Sequence, residues 1–205
     1  MPADFHRRLA EALNAQPPRA AAPGVGRAAA VLLPVVARPE PSLILTVRSD
    51  TLPSHQGQIS FPGGAMDPSD ESPEAAALRE TEEELGLRPS LVRVLGRLDD
   101  VETYVSGYVV TPVVGWLERL PELTPNPAEV ADVFTVPTRE LTDEIRADPG
   151  FLYGGRSYPT EAWIYDGYVI WGATARILRL FLARLGACGL GRTPAPEEAA
   201  WPESS

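Results

Sequence analysis

The chain has 205 residues, enough for one domain with a buried core, and a formal charge of −10. All eighteen basic residues are arginine and Cys188 is the one cysteine, which excludes lysine-dependent phosphate loops, Schiff bases, an internal disulfide and cysteine-rich metal sites. No basic stripe favours nucleic acid, no apolar run reaches membrane-spanning length, and the lone thiol with no signal-like apolar start points to the cytoplasm.

Phe5, Leu9 and Leu13 recur at helical spacing behind Asp4, predicting a short helix to Asn14 with Asp4 as its cap. The proline-rich "AQPPRAAAPGVG" that follows reads as a linker. Residues 1–27 are therefore an N-terminal helix and linker, ahead of a domain over 28–188. "AAAVLLPVVA" reads as a buried strand, and strands at 28–37 and 42–48 are joined by a Pro-Glu-Pro turn. "SDTLPSHQGQISFPGGAMDPSD" is loop, with a short extended piece at 58–61. In "ESPEAAALRETEEELGL", Ser72 is an N-cap, Pro73 takes the first helical position and Gly86 the position past the end. "LVRVLGRLDDVETY" and "GYVVTPVVGWL" read as two strands around a loop, and 132–137 as a strand followed by a helix start. "EAWIYDGYVIWG" has a hairpin pattern and 173–185 an amphipathic helix, with Trp171 and Phe181 as core residues. Residues 189–205, small, polar and proline-bearing, are expected to be a disordered tail. The whole is one α/β domain.

The helix over residues 73–85 carries an arrangement that folding alone does not require. With Arg79 set at zero on a wheel of 100° per residue, Glu83 lies at about 40°, Glu80 at about 100° and Glu84 at about 140°. Leu78 and Leu85 fall on the far side, where they anchor the helix. Like charges at such spacings destabilise a helix by roughly 0.2–0.5 kcal/mol per pair. A solvated acidic face is the ordinary reading of such a run. The functional one is a set of hard oxygen ligands for Mg²⁺ or Mn²⁺, with Arg79 holding Glu83 in place. The preceding "FPGG" lets the backbone pass close to the helix and turn a glycine carbonyl towards the same cation.

Together these residues resemble the Nudix box, G-x5-E-x7-R-E-U-x-E-E-x-G-U with U a bulky aliphatic residue. Glu71, Arg79, Glu80, Glu83, Glu84, Gly86 and Leu87 fall at its spacing. Two positions depart: the first glycine is Ala65 by strict count, with Gly64 one residue earlier, and Thr81 stands at an aliphatic position. Upstream, Arg48, Ser49, Leu52, His55, Gly57, Gln58 and Phe61–Gly64 resemble the segment that marks the coenzyme A pyrophosphatase branch. "NPAEVADVFTVP" and "YVIWGATARIL" resemble it too.

The resemblance implies a Nudix fold: an α-β-α sandwich with a mixed β-sheet and a loop-helix-loop box. It implies metal-dependent hydrolysis of coenzyme A to 4′-phosphopantetheine and adenosine 3′,5′-bisphosphate. Metal ligands would be Glu80, Glu83, Glu84 and the Gly64 carbonyl, with Glu83, Glu84 and Arg79 as the catalytic set. Arg48, Ser49, His55 and Gln58 would contact substrate, although His55 reads equally well as a structural hydrogen-bonding group. The general base stays open among Glu83, Glu84, Glu129 and Glu161. Other readings are hydrolysis of another nucleoside diphosphate derivative, or a nucleotide-sensing module without catalysis. The oligomeric state, monomer or homodimer, also stays open.

Overall fold

The computed structural model describes residues 4–52, 56–103, 106–148, 150–153, 156–158, 160–191 and 194. Helix α1 (Phe5–Asn14) is followed by strands β1 (Arg27–Val36), β2 (Ser42–Arg48), β3 (Ile59–Ser60) and β4 (Gly63–Ala65), then helix α2 (Pro73–Leu85). Strands β5 (Arg93–Arg97), β6 (Val101–Glu102), β7 (Tyr108–Leu117) and β8 (Val130–Pro137) come next. Strands β9 (Arg146–Ala147), β10 (Phe151–Tyr153), β11 (Arg156–Tyr158), β12 (Ala162–Tyr165) and β13 (Tyr168–Trp171) lead into helix α3 (Gly172–Ala187).

The main sheet is mixed. Strand β1 runs parallel to β7 from Arg27↔Tyr108 to Val36↔Leu117, and its other described pairings are antiparallel. On the side away from β7, β1 meets β4 at residues 29–31 and β2 at residues 35–36. Pro34 falls between these two ladders, so its missing N–H removes no bond from either. Strands β1 and β2 splay apart there. The Phe61–Pro62 corner, carrying β3 on β2 and β4 on β1, fills the gap.

Side chains alternate across the sheet, as the period of two demands. Ala30, Leu32, Val36, Ile44, Val113 and Leu117 pack with Ala76, Ala77 and Leu85 of α2. Leu33, Val35, Leu43, Leu45, Val114 and Trp116 pack on the opposite face with α1 and α3. Helix, sheet and helix thus form the α-β-α sandwich that the sequence resemblance implied. Each fully buried aliphatic side chain contributes roughly 1.5–3 kcal/mol, so both helical layers are strongly anchored.

Helix α1 presents Phe5, Leu9 and Leu13 to the core as their spacing predicted. Asp4 does not cap it: the carboxylate accepts from Arg7 at 3.2 Å instead of a backbone N–H. Ser72 does cap α2, its Oγ accepting from the Ala75 N–H at 3.2 Å, and Gly86 ends the helix with φ at 65°. The helix expected after β8 is two short 3₁₀ turns, Thr138–Glu140 and Asp143–Ile145. Leu141 breaks the run by leaving helical geometry, and its side chain is buried. Trp171 is half-buried and lines an open pocket with Gln58 and Tyr168. It sits at the β13–α3 junction, at the margin of the core. Trp163 and Phe181 take the fully buried places. Most of the expected tail, residues 192–193 and 195–205, lies outside the described residues. No helix among the described residues is long and apolar enough to cross a membrane.

Candidate active site

The corner that closes the splayed sheet also positions the acidic helix. Gly63 has φ at 144°, and a Cβ there would stand 2.3 Å from the Ala30 carbonyl oxygen. A Cβ on Gly64 would stand 2.5 Å from Glu80 Oε2. Gly63 thus needs to be glycine to pass the β1 backbone, whereas a side chain at Gly64 would push the Glu80 carboxylate out of its place. The Gly63 N–H donates to Glu84 Oε2 at 3.1 Å, joining corner and helix directly.

Glu84 is 5% exposed. Burial is the main force on its carboxyl, pushing the pKa up to about 7. The Gly63 N–H and the Arg48 charge pull it down, while Glu129 and Glu80 push it further up. Burial likewise raises Glu80, opposed by Arg79 and reinforced by Glu83 and Glu129. At Glu84 and Glu80 the loss of hydration outweighs the neighbouring hydrogen bonds and arginine charges.

Arg79 organises more than the wheel suggested. Its Nη1 donates to Glu80 Oε1 at 2.9 Å and Glu83 Oε2 at 3.1 Å. Its Nε and Nη2 donate to Asp70 Oδ1 and Oδ2 at 3.1 and 3.0 Å, and Nη2 also reaches the Ala65 carbonyl at 3.4 Å. The Arg79 hydrogen bonds, foremost among several causes, hold the Asp70 carboxyl below its ordinary value, and Asp70 is the main cause of the raised Arg79 pKa. Drawn to Arg79, Glu80 and Glu83 do not meet Glu84 at one point. Among the described residues no three acidic or histidine side chains stand in a coordination arrangement. The wheel placed these carboxylates along one edge of the helix, and Arg79 decides where along it Glu80 and Glu83 turn.

The loop after β2 and the loop before β8 complete the surroundings. Arg48 lies near enough to influence Glu84, and its buried Nε has no hydrogen-bond partner among the described residues. The Arg48 N–H donates to the Gln58 carbonyl and the Gly57 N–H to the Arg48 carbonyl, tying Gln58 to this strand end. Ser49 is buried, its hydroxyl sharing a 2.9 Å hydrogen bond with Thr51, and its N–H donates to the Glu129 carbonyl. Asn126 N–H donates to the Glu84 carbonyl while its side chain holds Glu129 Oε1 at 3.0 Å. These bonds carry Glu129 to the box. Glu161 is engaged elsewhere, 3.0 Å from both Arg146 and Arg179. His55 lies outside the described residues.

The sequence profile of the NUDIX domain matches residues 26–153, more than half of the chain. The chain belongs to the Nudix family. It is 44% identical over 162 residues to the protein named "Uncharacterized Nudix hydrolase NudL" in Escherichia coli O7:K1, covering 78% of this chain and 83% of that one. The namesake in strain K12 matches with the same figures. Among solved structures, the Nudix hydrolase RenU of M. smegmatis is similar with a TM-score of 0.44 and 25% identity, over 55% of this chain and 70% of that one. Nudix hydrolases generally use divalent metal ions and act on small nucleotide compounds, and this chain is a hydrolase of a nucleoside diphosphate derivative.

Both departures from the Nudix box have a structural account. Thr81 is buried among apolar groups, and its hydroxyl donates to the Ala77 carbonyl at 2.6 Å, so no polar atom is stranded. The glycine beside Glu80 is Gly64, one residue ahead of the strict count. Sequence reasoning missed Asp70, which stands one residue before the box position filled by Glu71. The turn residues of "DPSD" were the available signal, since Asp67 and Asp70 close a turn on themselves.

Proposed function

We propose that this Nudix hydrolase cleaves the diphosphate linkage of coenzyme A or its derivatives, releasing 4′-phosphopantetheine and adenosine 3′,5′-bisphosphate. The reading rests first on Glu84, a buried carboxyl with its pKa pushed up to about 7 by burial, beside Glu80 and Glu129. The donors here are all oxygens, whose chemistry suits a hard divalent cation such as Mg²⁺ or Mn²⁺. Glu80, Glu83, Glu84 and the Gly64 carbonyl would hold it. Bound there, the cation supplies charge neutralisation for the diphosphate and lowers the pKa of water.

The remaining work belongs to the chain. Arg79 sets Glu80 and Glu83. Arg48, whose charge acts on Glu84 and whose buried Nε has no hydrogen-bond partner among the described residues, would donate to a phosphate oxygen. Glu129 is the later-loop carboxylate brought to the box and is our choice for accepting the proton of the attacking water, while Glu83 and Glu84 remain with the metal. Gln58 lines the pocket shared with Tyr168 and Trp171, which supports a role in holding the organic part of the substrate. Ser49 supports the loop through Thr51 and the Glu129 carbonyl, and His55 belongs to the same substrate segment by motif. The choice of coenzyme A rests on the Arg48–Gly64 motif, whose Arg48 and Gly63 both act on Glu84. The lone Cys188 suits a reducing cytoplasm.

The test is incubation of the purified protein with coenzyme A and Mg²⁺ or Mn²⁺, with products identified by mass spectrometry. Formation of 4′-phosphopantetheine is expected. Its absence, with another nucleoside diphosphate compound cleaved instead, would remove coenzyme A and keep the hydrolase.

A further inference from the structure

We infer that Asp70 is the residue that positions Arg79, and through it Glu80 and Glu83, while Glu71 at the Nudix box position has no part in the site. The inference rests on the reading of Glu80 and Glu83 as cation ligands.

The Asp70 side chain is 5% exposed and engages Arg79 with both oxygens. Two parallel N–H···O bonds fix the plane of a guanidinium as well as its place. With Nε and Nη2 held, Nη1 is delivered to the point between Glu80 and Glu83. Asp70 is itself fixed. The Asp67 N–H donates to its Oδ2 at 2.8 Å, and the Asp70 N–H donates back to the Asp67 carbonyl at 3.0 Å. Carboxylate, guanidinium and ligand carboxylates form a chain of hydrogen bonds in which only the far end is exposed, Glu83 at 54%.

Glu71 is exposed, and among the described residues its carboxylate has no hydrogen bond or ion pair. Its place explains why: it is the last residue before the Ser72 cap. The turn closed by Asp67 puts the preceding residue, not this one, beside Arg79. The acidic function of the motif has moved by one position.

The test compares Asp70→Asn, Asp70→Glu and Glu71→Gln with the wild type in Mn²⁺ titrations followed by electron paramagnetic resonance, alongside kcat and KM for coenzyme A. Asparagine offers Arg79 one acceptor where aspartate offers two. Glutamate keeps both oxygens on a longer arm and carries the test if Asp70→Asn fails to fold. Both Asp70 variants are expected to weaken Mn²⁺ binding and lower kcat by about 10–100-fold, the range for groups that orient metal ligands. KM should stay within about twofold, and Glu71→Gln should match the wild type. Asp70 variants with wild-type Mn²⁺ binding and turnover, or the loss appearing in Glu71→Gln, would overturn the assignment. A wild type that takes up no Mn²⁺ would overturn the ligand reading beneath it as well.

Discussion

Around Arg79 four carboxylates, Asp67, Asp70, Glu80 and Glu83, share one guanidinium, whereas the Glu161 carboxylate is flanked by two, Arg146 and Arg179. Both groups include a carboxylate side chain almost closed to solvent, Asp70 at 5% and Glu161 at 6%. Around Glu161 the opposite charges are at hand. Beside Arg79 the box continues to Glu84, whose carboxyl pKa is pushed up to about 7 chiefly by burial, with Glu129 and Glu80 adding to the rise. A folded chain tolerates such a buried acid at a cost in stability, and enzymes accept such costs where a ligand will use the group. Under the proposed function the first cluster would receive a cation, whereas the second holds a loop and α3 together.

The sharpest way to separate the two is to remove one carboxylate charge from each. Glu84→Gln is expected to lower turnover by on the order of 10³-fold, beyond the 10–100-fold typical of groups behind the ligands, while circular dichroism shows an intact fold. Near-normal hydrolysis would remove Glu84 from the site. Glu161→Gln should do the reverse: unfolding free energy from urea titration falls by about 3–5 kcal/mol, the cost of breaking a buried ion pair from one side, and kcat per folded molecule is retained. A fall in kcat without loss of stability would return Glu161 to the list of general bases.

A smaller effect comes from pH. In metal-free buffer the Glu84 pKa is raised in the folded state from 4.5 to about 7. Its contribution to stability is therefore fully present below pH 4.5 and lost as pH rises through 7. The loss amounts to roughly 3 kcal/mol at most, since each pKa unit is worth about 1.4 kcal/mol. Glu80, raised in the same direction, adds to the slope, while Asp70 and Glu74 are lowered and lose their contributions only in more acid solution. Urea midpoints measured from pH 5 to pH 8 should fall for the wild type and fall less for Glu84→Gln. Parallel slopes for the two proteins would show that Glu84 is not the titrating group.

Much of this was legible in the chain of residues. Helix α2, with Ser72, Pro73 and Gly86 at its ends, follows from capping chemistry that involves only neighbours. The placement of Arg79, Glu80, Glu83 and Glu84 on one edge follows from the helical period. Strands β1 and β7 follow from their continuous apolar runs. Asp4 was misread because its carboxylate had a second local partner in Arg7, and a cap is a competition between the two. The two 3₁₀ turns after β8 reflect burial of Leu141, which no local pattern announces.

Residue types at fixed spacing determined the helix, the acidic edge and the family of the chain, because those depend on contacts within a few positions. Tertiary structure alone decided that Asp70 and not Glu71 grips Arg79, that Arg48 and Glu129 arrive beside Glu84, and that Glu161 does not. Each of those outcomes turns on packing between segments far apart in the chain, and the burial that raises the Glu84 carboxyl exists only once they meet out of water.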